Sequence, residues 1–322
     1  MLRPRNVLPI AITLLSVVLA GCSGGHQERD PLSDNSNRPL DVQISNVRTV
    51  GRVQAERLDF AAADGQRVPA LFARPVSGPG AGCLMYEGGF GSRKEAAVRL
   101  WQPLAKLGLS TFSLDMRLHG ERAKSRKQLD EASGDPAAIE RIVTGTVVDL
   151  RRAMDYLTSL PECRGRIAYA GVSLGGVIGS ILAGRDRRVE AAVLMSVSPT
   201  FRNITHTLGV LIPNVKRDPE RIERRLSPYD PVKWIPRIAP RPVMLLNGEK
   251  DPFIPIEEAR QTQAAAREPA VKLIYAGGHN PTAPPAGRKN AASVLRFLRA
   301  WLRGDAGALS QRLSGREAGA HR

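Results

Sequence analysis

A serine between glycines constrains the fold of this chain more than any other feature. The segment Gly171–Gly176 (GVSLGG) directly follows the apolar run Arg166–Ala170, and Leu174–Ala183 then carries its apolar residues on one helical stripe. A serine in this context lies on a sharp strand-to-helix turn, where small neighbours let the backbone pass closely. The segment therefore predicts a strand, a tight turn at Ser173 and a helix. A glycine-rich turn that only packs a helix on a sheet is the alternative.

Strand-like and helix-like segments alternate on both sides of this turn. The other predicted strands are Val53–Phe60, Val68–Pro75, Cys83–Tyr86, Leu109–Leu114, Ala191–Met195, Val243–Leu246 and Val271–Tyr275, and the other helices are Glu95–Lys106, Val143–Leu160, Ile256–Arg267 and Asn290–Trp301. This alternation predicts an α/β fold, with a mainly parallel sheet covered by helices on both faces. The first two strands predict an antiparallel hairpin. Residues 200–239 interrupt the pattern and predict a small cap insertion.

Both ends of the chain differ from the middle. Arg3 and Arg5 precede the apolar run Val7–Ala20, which is shorter than the ~20 residues that span a bilayer. We expect a signal peptide over residues 1–21 and a flexible tether over 22–45. The α/β domain is expected over 46–303 and a flexible tail over 304–322.

Residues Leu19–Cys22 (LAGC) resemble the lipobox of bacterial lipoproteins. The resemblance implies cleavage before Cys22 and lipidation of its thiol. Ser23 follows the cysteine where an Asp would favour the inner membrane, which implies a lipid-anchored protein of the outer membrane that faces the periplasm. An ordinary signal peptide with a chance cysteine is the alternative.

The chain is strongly basic, with a formal net charge of +16. Its Lys and Arg residues are scattered and not interleaved with aromatic residues, which favours a solvated basic surface over a nucleic-acid partner. Arg93, Arg117 and Arg202 could favour acidic substrates, although surface solvation explains them equally well.

A serine hydroxyl becomes a useful nucleophile only when a base accepts its proton. The chain has five histidines: His26, His119, His206, His279 and His321. In folds built around such a serine turn, the acid and then the histidine follow the serine along the chain. His279 follows the last predicted strand, and Asp251 follows Val243–Leu246, with Glu249 as the fallback acid. His119 and His206 suit a loop hydrogen bond and the cap surface, although His206 could also touch substrate.

Together these segments resemble the α/β-hydrolase superfamily, in the branch of dienelactone hydrolases, acetyl xylan esterases and prolyl oligopeptidase catalytic domains. The resemblance covers about residues 53–302 and is carried by Asp115–Glu121 (DMRLHGE), the serine turn and Asp230–Pro242. It implies a catalytic triad of Ser173, Asp251 and His279. Many relatives have His-Gly where this chain has Glu87-Gly88, and dienelactone hydrolases proper use a cysteine nucleophile, so dienelactone is not implied as the substrate.

The same resemblance implies two further features. The backbone N–H groups of Leu174 and Gly89 would form an oxyanion hole, with Phe90 as second choice for Gly89. The strands that begin near Cys83 and Arg166 lie side by side in this fold, which implies a disulfide between Cys83 and Cys163. Two buried free thiols are the alternative.

The expected activity is two-step acyl transfer on a small-molecule or polymer-borne carboxylic ester, without a metal or organic cofactor. A peptidase or acyltransferase with the same triad is the nearest alternative. A non-catalytic envelope lipoprotein, attached to the membrane through Cys22, is the alternative from another class.

Overall fold

Nine strands form one sheet in the computed structural model, which describes residues 30–34, 37–78, 80–132, 134–163, 165–202 and 219–306. The order across the described sheet is β1-β2-β3-β5-β4-β6-β7-β8-β9. The strands are β1 Gln43–Val50, β2 Val53–Ala61, β3 Arg67–Pro75, β4 Gly82–Glu87, β5 Leu109–Leu114, β6 Ile167–Val172, β7 Val189–Met195, β8 Val243–Gly248 and β9 Ala270–Tyr275.

The sheet is antiparallel at one edge and parallel elsewhere. Strands β1, β2 and β3 pair antiparallel, and β3 also pairs antiparallel with β5. The remaining described neighbours are parallel. Strands β4, β5 and β8 are buried along their whole length, because helices cover both faces of a parallel sheet. The predicted mainly parallel sheet and its opening hairpin are confirmed.

Helices lie on both faces of this sheet. The described α-helices are α1 Trp101–Ala105, α2 Arg126–Ala132, α3 Pro136–Ser159, α4 Leu174–Arg185, α5 Pro219–Leu226, α6 Pro231–Trp234, α7 Ile256–Ala264 and α8 Gly287–Arg303. Successive side chains of β4 point to opposite faces, as strand geometry requires. Met85 joins a core cluster with α3 and α4, whereas Leu84 joins a second cluster with α1 and α8.

Two helices differ most from the predictions. The predicted helix Glu95–Lys106 is a 3₁₀ helix over Lys94–Leu100 followed by α1. Pro103 has no N–H to continue one long helix, and the start at Trp101 places it in a first turn, where that donor is not needed. Helix α3 begins seven residues earlier than predicted, because Asp135 Oδ1 caps it by accepting the Ala137 N–H at 2.9 Å.

The structure corrects the part of the predicted tether over 22–45 that it describes. The described residues from Pro31 onward belong to the compact unit that holds the sheet, and β1 already starts at Gln43. Leu32 is buried, and Arg151 Nη1 donates to its carbonyl at 2.6 Å. Arg152 Nη1 donates to Asp34 Oδ2 at 2.6 Å. These long-range bonds satisfy guanidinium groups of α3, so they could not be read from the local polarity of the segment.

Other predictions at the ends of the chain lie outside the described residues. These are the signal peptide, Cys22, His26, His321 and nearly all of the tail over 304–322. The predicted cap over 200–239 is described only in part, because residues 203–218, which include His206, are not among the described residues. The described part of the cap contains α5 and α6. Within the described ranges, no helix has both the length and the apolar character needed to cross a membrane.

A disulfide joins Cys83 and Cys163, which are 80 residues apart in the chain. Cys83 lies at the start of β4 and pairs with Ile167 of the parallel neighbour β6. Cys163 lies just before that neighbour begins, so both thiols reach the same end of the sheet. The structure thus has the predicted pairing and not two free thiols.

Candidate active site

Ser173 lies on the turn between β6 and α4 in an unusual backbone conformation, with φ 54° and ψ −118°. Positive φ is unfavourable for a residue other than glycine and persists only where the surroundings enforce it. Here the Ser173 N–H donates to Met195 O, and the Ser173 carbonyl accepts the Val177 N–H, both at 2.9 Å. The turn therefore holds the hydroxyl at the end of the sheet, ahead of the first turn of α4.

The glycines around Ser173 are required by close backbone packing. A Cβ at Gly171 would lie 2.3 Å from Gly175 O, and a Cβ at Gly175 would lie 2.3 Å from Glu87 O. These neighbours are main-chain atoms, which cannot move aside as a flexible side chain could. Glycine at both positions lets α4 approach β6 and the turn after β4.

His279 and Asp251 are in direct contact. His279 Nδ1 lies 2.8 Å from Asp251 Oδ2, and the other oxygen, Oδ1, accepts the N–H groups of Phe253 at 2.9 Å and Ile254 at 3.2 Å. The Asp251 side chain is 1% exposed. With the proton on Nδ1, Nε2 is left as the acceptor. Glu249, the fallback acid, is exposed and makes no side-chain hydrogen bond to His279 among the described residues.

Two hydroxyl groups hold the main chain of the His279 loop. Ser196, directly after β7, donates from Oγ to the His279 carbonyl at 2.7 Å, and Tyr275 Oη donates to Gly278 O at 2.8 Å. The Phe253 ring packs edge-on against the imidazole, with ring centroids 5.1 Å apart. Ser196 was not predicted from the sequence; its position at the carboxyl end of a strand beside β6 was the available indication.

Ser173 and His279 line one cavity of about 360 Å³. Much of its wall is apolar and includes Ile139, Ile142, Val143, Val177, Phe201 and Ile254. Ser173 Oγ makes no hydrogen bond within the described part of the chain; in structures without substrate, catalytic hydrogen bonds are often long and tighten on binding. No three His, Cys, Asp or Glu side chains among the described residues are grouped to hold a metal ion.

The residues proposed for the oxyanion hole, Gly89 and Leu174, also line this cavity. A Cβ at Gly89 would lie 3.2 Å from Ser173 Cβ, so the turn after β4 runs directly beside the serine. The Gly175 N–H donates to Gly88 O at 3.0 Å and ties the start of α4 to that turn. Phe90, the second choice, lines the same cavity, and its ring packs edge-on against His119.

Buried ionisable side chains support the turn after β4. Lys94 Nζ and Asp115 Oδ2 form a fully buried ion pair at 3.0 Å, and Asp115 also accepts the N–H groups of Lys94 and Glu121. Glu87 is buried as well, and its Oε1 accepts the Leu114 N–H at 3.0 Å. Burial raises the pKa of the Glu87 carboxyl well above its usual range, and the negative charge of Asp115 adds to this.

A second, smaller cavity of about 120 Å³ adjoins the first. The two share Tyr86, Arg99 and Val172 as wall residues. The rest of its wall is mainly apolar and includes Leu84, Leu104, Ala170, Val294, Leu295 and Leu298.

Comparison with known sequences shows relatives without an established activity. The chain is 30% identical to the uncharacterized protein Rv2307c of Mycobacterium tuberculosis over 240 residues, which is 73% of this chain and 76% of that protein. It is 25% identical to the uncharacterized protein YfhR of Salmonella typhi over 70% of this chain and 74% of the relative. Residues 150–267 match the family model described as BAAT / acyl-CoA thioester hydrolase C terminal.

Solved structures share the fold at low sequence identity. An acetyl xylan esterase from a Paenibacillus species aligns with a TM-score of 0.66 and 20% identity, covering 82% of this chain and 89% of that one. A dienelactone hydrolase homologue from Klebsiella pneumoniae aligns with a TM-score of 0.58 and 16% identity, covering 76% and 98%. The α/β-hydrolase fold predicted from the sequence is therefore confirmed.

Proposed function

The chain belongs to one family with the uncharacterized protein Rv2307c of Mycobacterium tuberculosis, and from that premise we propose that it is a serine hydrolase that cleaves carboxylic esters. The observation that carries the proposal is the 2.8 Å contact of His279 Nδ1 with buried Asp251 Oδ2, in a site where Ser173 lies on a turn at positive φ. A base that is oriented by a carboxylate and lines the same cavity as a serine hydroxyl is the arrangement that nucleophilic acyl transfer requires.

The reaction would proceed in two steps. Ser173 Oγ attacks the ester carbonyl carbon while His279 Nε2 takes the hydroxyl proton, and Asp251 stabilises the resulting imidazolium. The N–H groups of Gly89 and Leu174 stabilise the tetrahedral oxyanion. The alcohol leaves with the proton from Nε2, and an acyl-serine remains. Water then attacks the acyl carbon and gives a proton to Nε2, and collapse of this second intermediate releases the acid and returns the proton to Ser173.

Oxygen esters are the substrate class that the esterase structures of the same fold support. The match of residues 150–267 to the acyl-CoA thioester hydrolase model makes thioesters the second candidate. Both classes pass through the same acyl-serine, so the two differ only in the leaving group. Hydrolysis of an oxygen ester and a thioester with one acyl chain, compared by kcat/KM, separates the two.

The lipid anchor remains a proposal that rests on residues Leu19–Cys22 alone. We propose that lipidated Cys22 attaches the chain to the outer membrane on its periplasmic side. Metabolic labelling with a palmitate analogue tests this, because Cys22→Ala should then carry no label.

Kinetics of four variants test the proposed triad. We expect Ser173→Ala and His279→Ala to lower kcat for p-nitrophenyl butyrate by roughly 10,000-fold or more, and Asp251→Asn by about 1,000- to 10,000-fold, because the imidazole loses its orientation. Glu249→Gln is the matched control and should keep wild-type kcat. Loss of activity in Glu249→Gln with retention in Asp251→Asn would overturn the assignment of the acid.

A further inference from the structure

The wall of the candidate site carries one side chain with a fixed positive charge. Arg99 lines the cavity that holds Ser173, and the described lining includes no Asp, Glu or Lys. Arg99 belongs to the 3₁₀ segment before α1 and is exposed, so a molecule that enters the cavity can reach it. Arg99 is therefore the one fixed charge among the described lining residues of this cavity.

The Arg99 guanidinium is not neutralised by a carboxylate in the described structure. Its Nη2 donates to Tyr86 Oη at 2.8 Å, and its Cζ lies 5.9 Å from the centre of the Tyr86 ring. A guanidinium has five N–H donors in a planar fork, and this contact uses only one of them. Donors thus remain for a ligand oxyanion.

Three other arginines were considered from the sequence as contacts for acidic substrates, and each of them is paired with a carboxylate. Arg93 pairs with Glu95 at 3.5 Å, and Arg202 pairs with Glu223 at 3.7 Å. Arg117 pairs with Asp149 at 3.0 Å. None of these three lines the cavity. Because each is also paired with a carboxylate, none is placed to bind a substrate anion there.

The surroundings of Arg99 favour a strong interaction with an anion. The residue lies where the two cavities meet, against buried Tyr86 and the mainly apolar second cavity. A fork-like pair of guanidinium donors binds carboxylate or phosphate oxygens in parallel, which adds strength and geometric specificity to the contact. Tyr86 Oη accepts from Arg99 and keeps its own proton to donate.

We propose that Arg99 binds an oxyanion of the substrate, so that the preferred esters carry a carboxylate or phosphate group in addition to the scissile bond. This inference rests on the proposed esterase activity. The anion pairs with the guanidinium and the Tyr86 hydroxyl while the ester carbonyl lies at Ser173. Arg99 then determines specificity and takes no part in bond cleavage.

The test compares esters that differ only in charge. Full-length wild-type protein is assayed with mono-p-nitrophenyl adipate and with p-nitrophenyl 6-methylheptanoate, in which an isopropyl group replaces the carboxylate. A third ester carries a terminal phosphate on an acyl chain of similar length. Each is measured with Arg99→Gln, with Arg99→Lys and with Arg93→Gln. Arg93 is an exposed arginine directly before the same segment, and its variant controls for the loss of one charge.

We expect Arg99→Gln to raise KM about tenfold for at least one anionic ester and to leave kcat/KM for the neutral ester within twofold. Arg99→Lys should restore part of the loss, and Arg93→Gln should match wild type. The anionic ester with the larger change identifies carboxylate or phosphate as the bound group. Equal effects of Arg99→Gln on all three esters, or none on any, would overturn the proposal. Hydrolysis of the neutral ester reports separately on the proposed function, since its absence in wild type would contradict that function instead.

Discussion

At the scale of single residues, the imidazole of His279 is held from two directions. Asp251 Oδ2 contacts Nδ1, whereas Ser196 Oγ holds the backbone carbonyl of the same residue. Ser196 itself has φ 51°, so this position also depends on its surroundings. The position of the imidazole therefore depends on Ser196 as well as on Asp251.

We predict that Ser196→Ala lowers kcat by about tenfold, because the His279 loop loses one anchoring hydrogen bond and the imidazole samples unproductive positions. Ser198→Ala is the matched control, since Ser198 lines the same cavity but bonds to Thr200 O at 3.3 Å. Steady-state kinetics and urea unfolding of both variants provide the measurement. An equal loss of kcat in both variants would show that Ser196 has no special part in holding the base.

The buried carboxyl group of Glu87 makes the stability of the folded chain depend on pH. Because burial raises its pKa in the folded chain, the folded state binds a proton that the unfolded state releases above about pH 4.3. Its contribution to stability is therefore complete below that pH and falls as the pH rises toward the folded pKa. Glu87→Gln keeps the acceptor for the Leu114 N–H and removes the ionisation.

We expect the free energy of unfolding of Glu87→Gln, relative to wild type, to increase between pH 5 and pH 8. Urea unfolding at several pH values measures it, with Glu249→Gln at an exposed site as the control. A difference from wild type that stays constant with pH would contradict a buried, protonated Glu87.

At the scale of elements, the serine turn was predictable because the close main-chain packing that it requires appears in the sequence as glycines. Gly171 is dictated by Gly175 O across the turn, and Gly175 by Glu87 O at the end of β4. Pro103, which fits the start of a new helix at Trp101, was also visible in the sequence. Strand β1 was missed because it is exposed along its whole length and has no buried alternation.

The disulfide holds the start of β4 to the residues just before β6. It closes a long loop in the unfolded chain, and we predict that its removal lowers the free energy of unfolding by about 2–4 kcal/mol. Urea unfolding with and without dithiothreitol measures the effect. The Cys83→Ala/Cys163→Ala double variant, which should not respond to dithiothreitol, is the control. A wild-type unfolding curve unchanged by reduction would contradict the prediction.

At the scale of the whole molecule, the site forms where the carboxyl ends of β4, β6, β8 and β9 meet. Parallel pairing brings Ser173, Asp251 and His279 to this end although they are far apart in the chain. Their order along the chain was therefore sufficient to predict that they lie at one end of the sheet. The cavity wall was not predictable to the same degree, because α3, the 3₁₀ segment with Arg99 and the loop with Phe253 meet only in the folded chain.

Labelling with a neutral fluorophosphonate probe tests the central claim most directly, because the probe reacts covalently only with an activated serine. Full-length wild type should bind one equivalent, with the adduct on the peptide that contains Ser173, and Ser173→Ala should not be labelled. His279→Ala should label far more slowly than wild type, because the serine loses its base. A folded wild-type protein that stays unlabelled, or equal labelling of Ser173→Ala, would contradict the proposed nucleophile and favour a non-catalytic binding role.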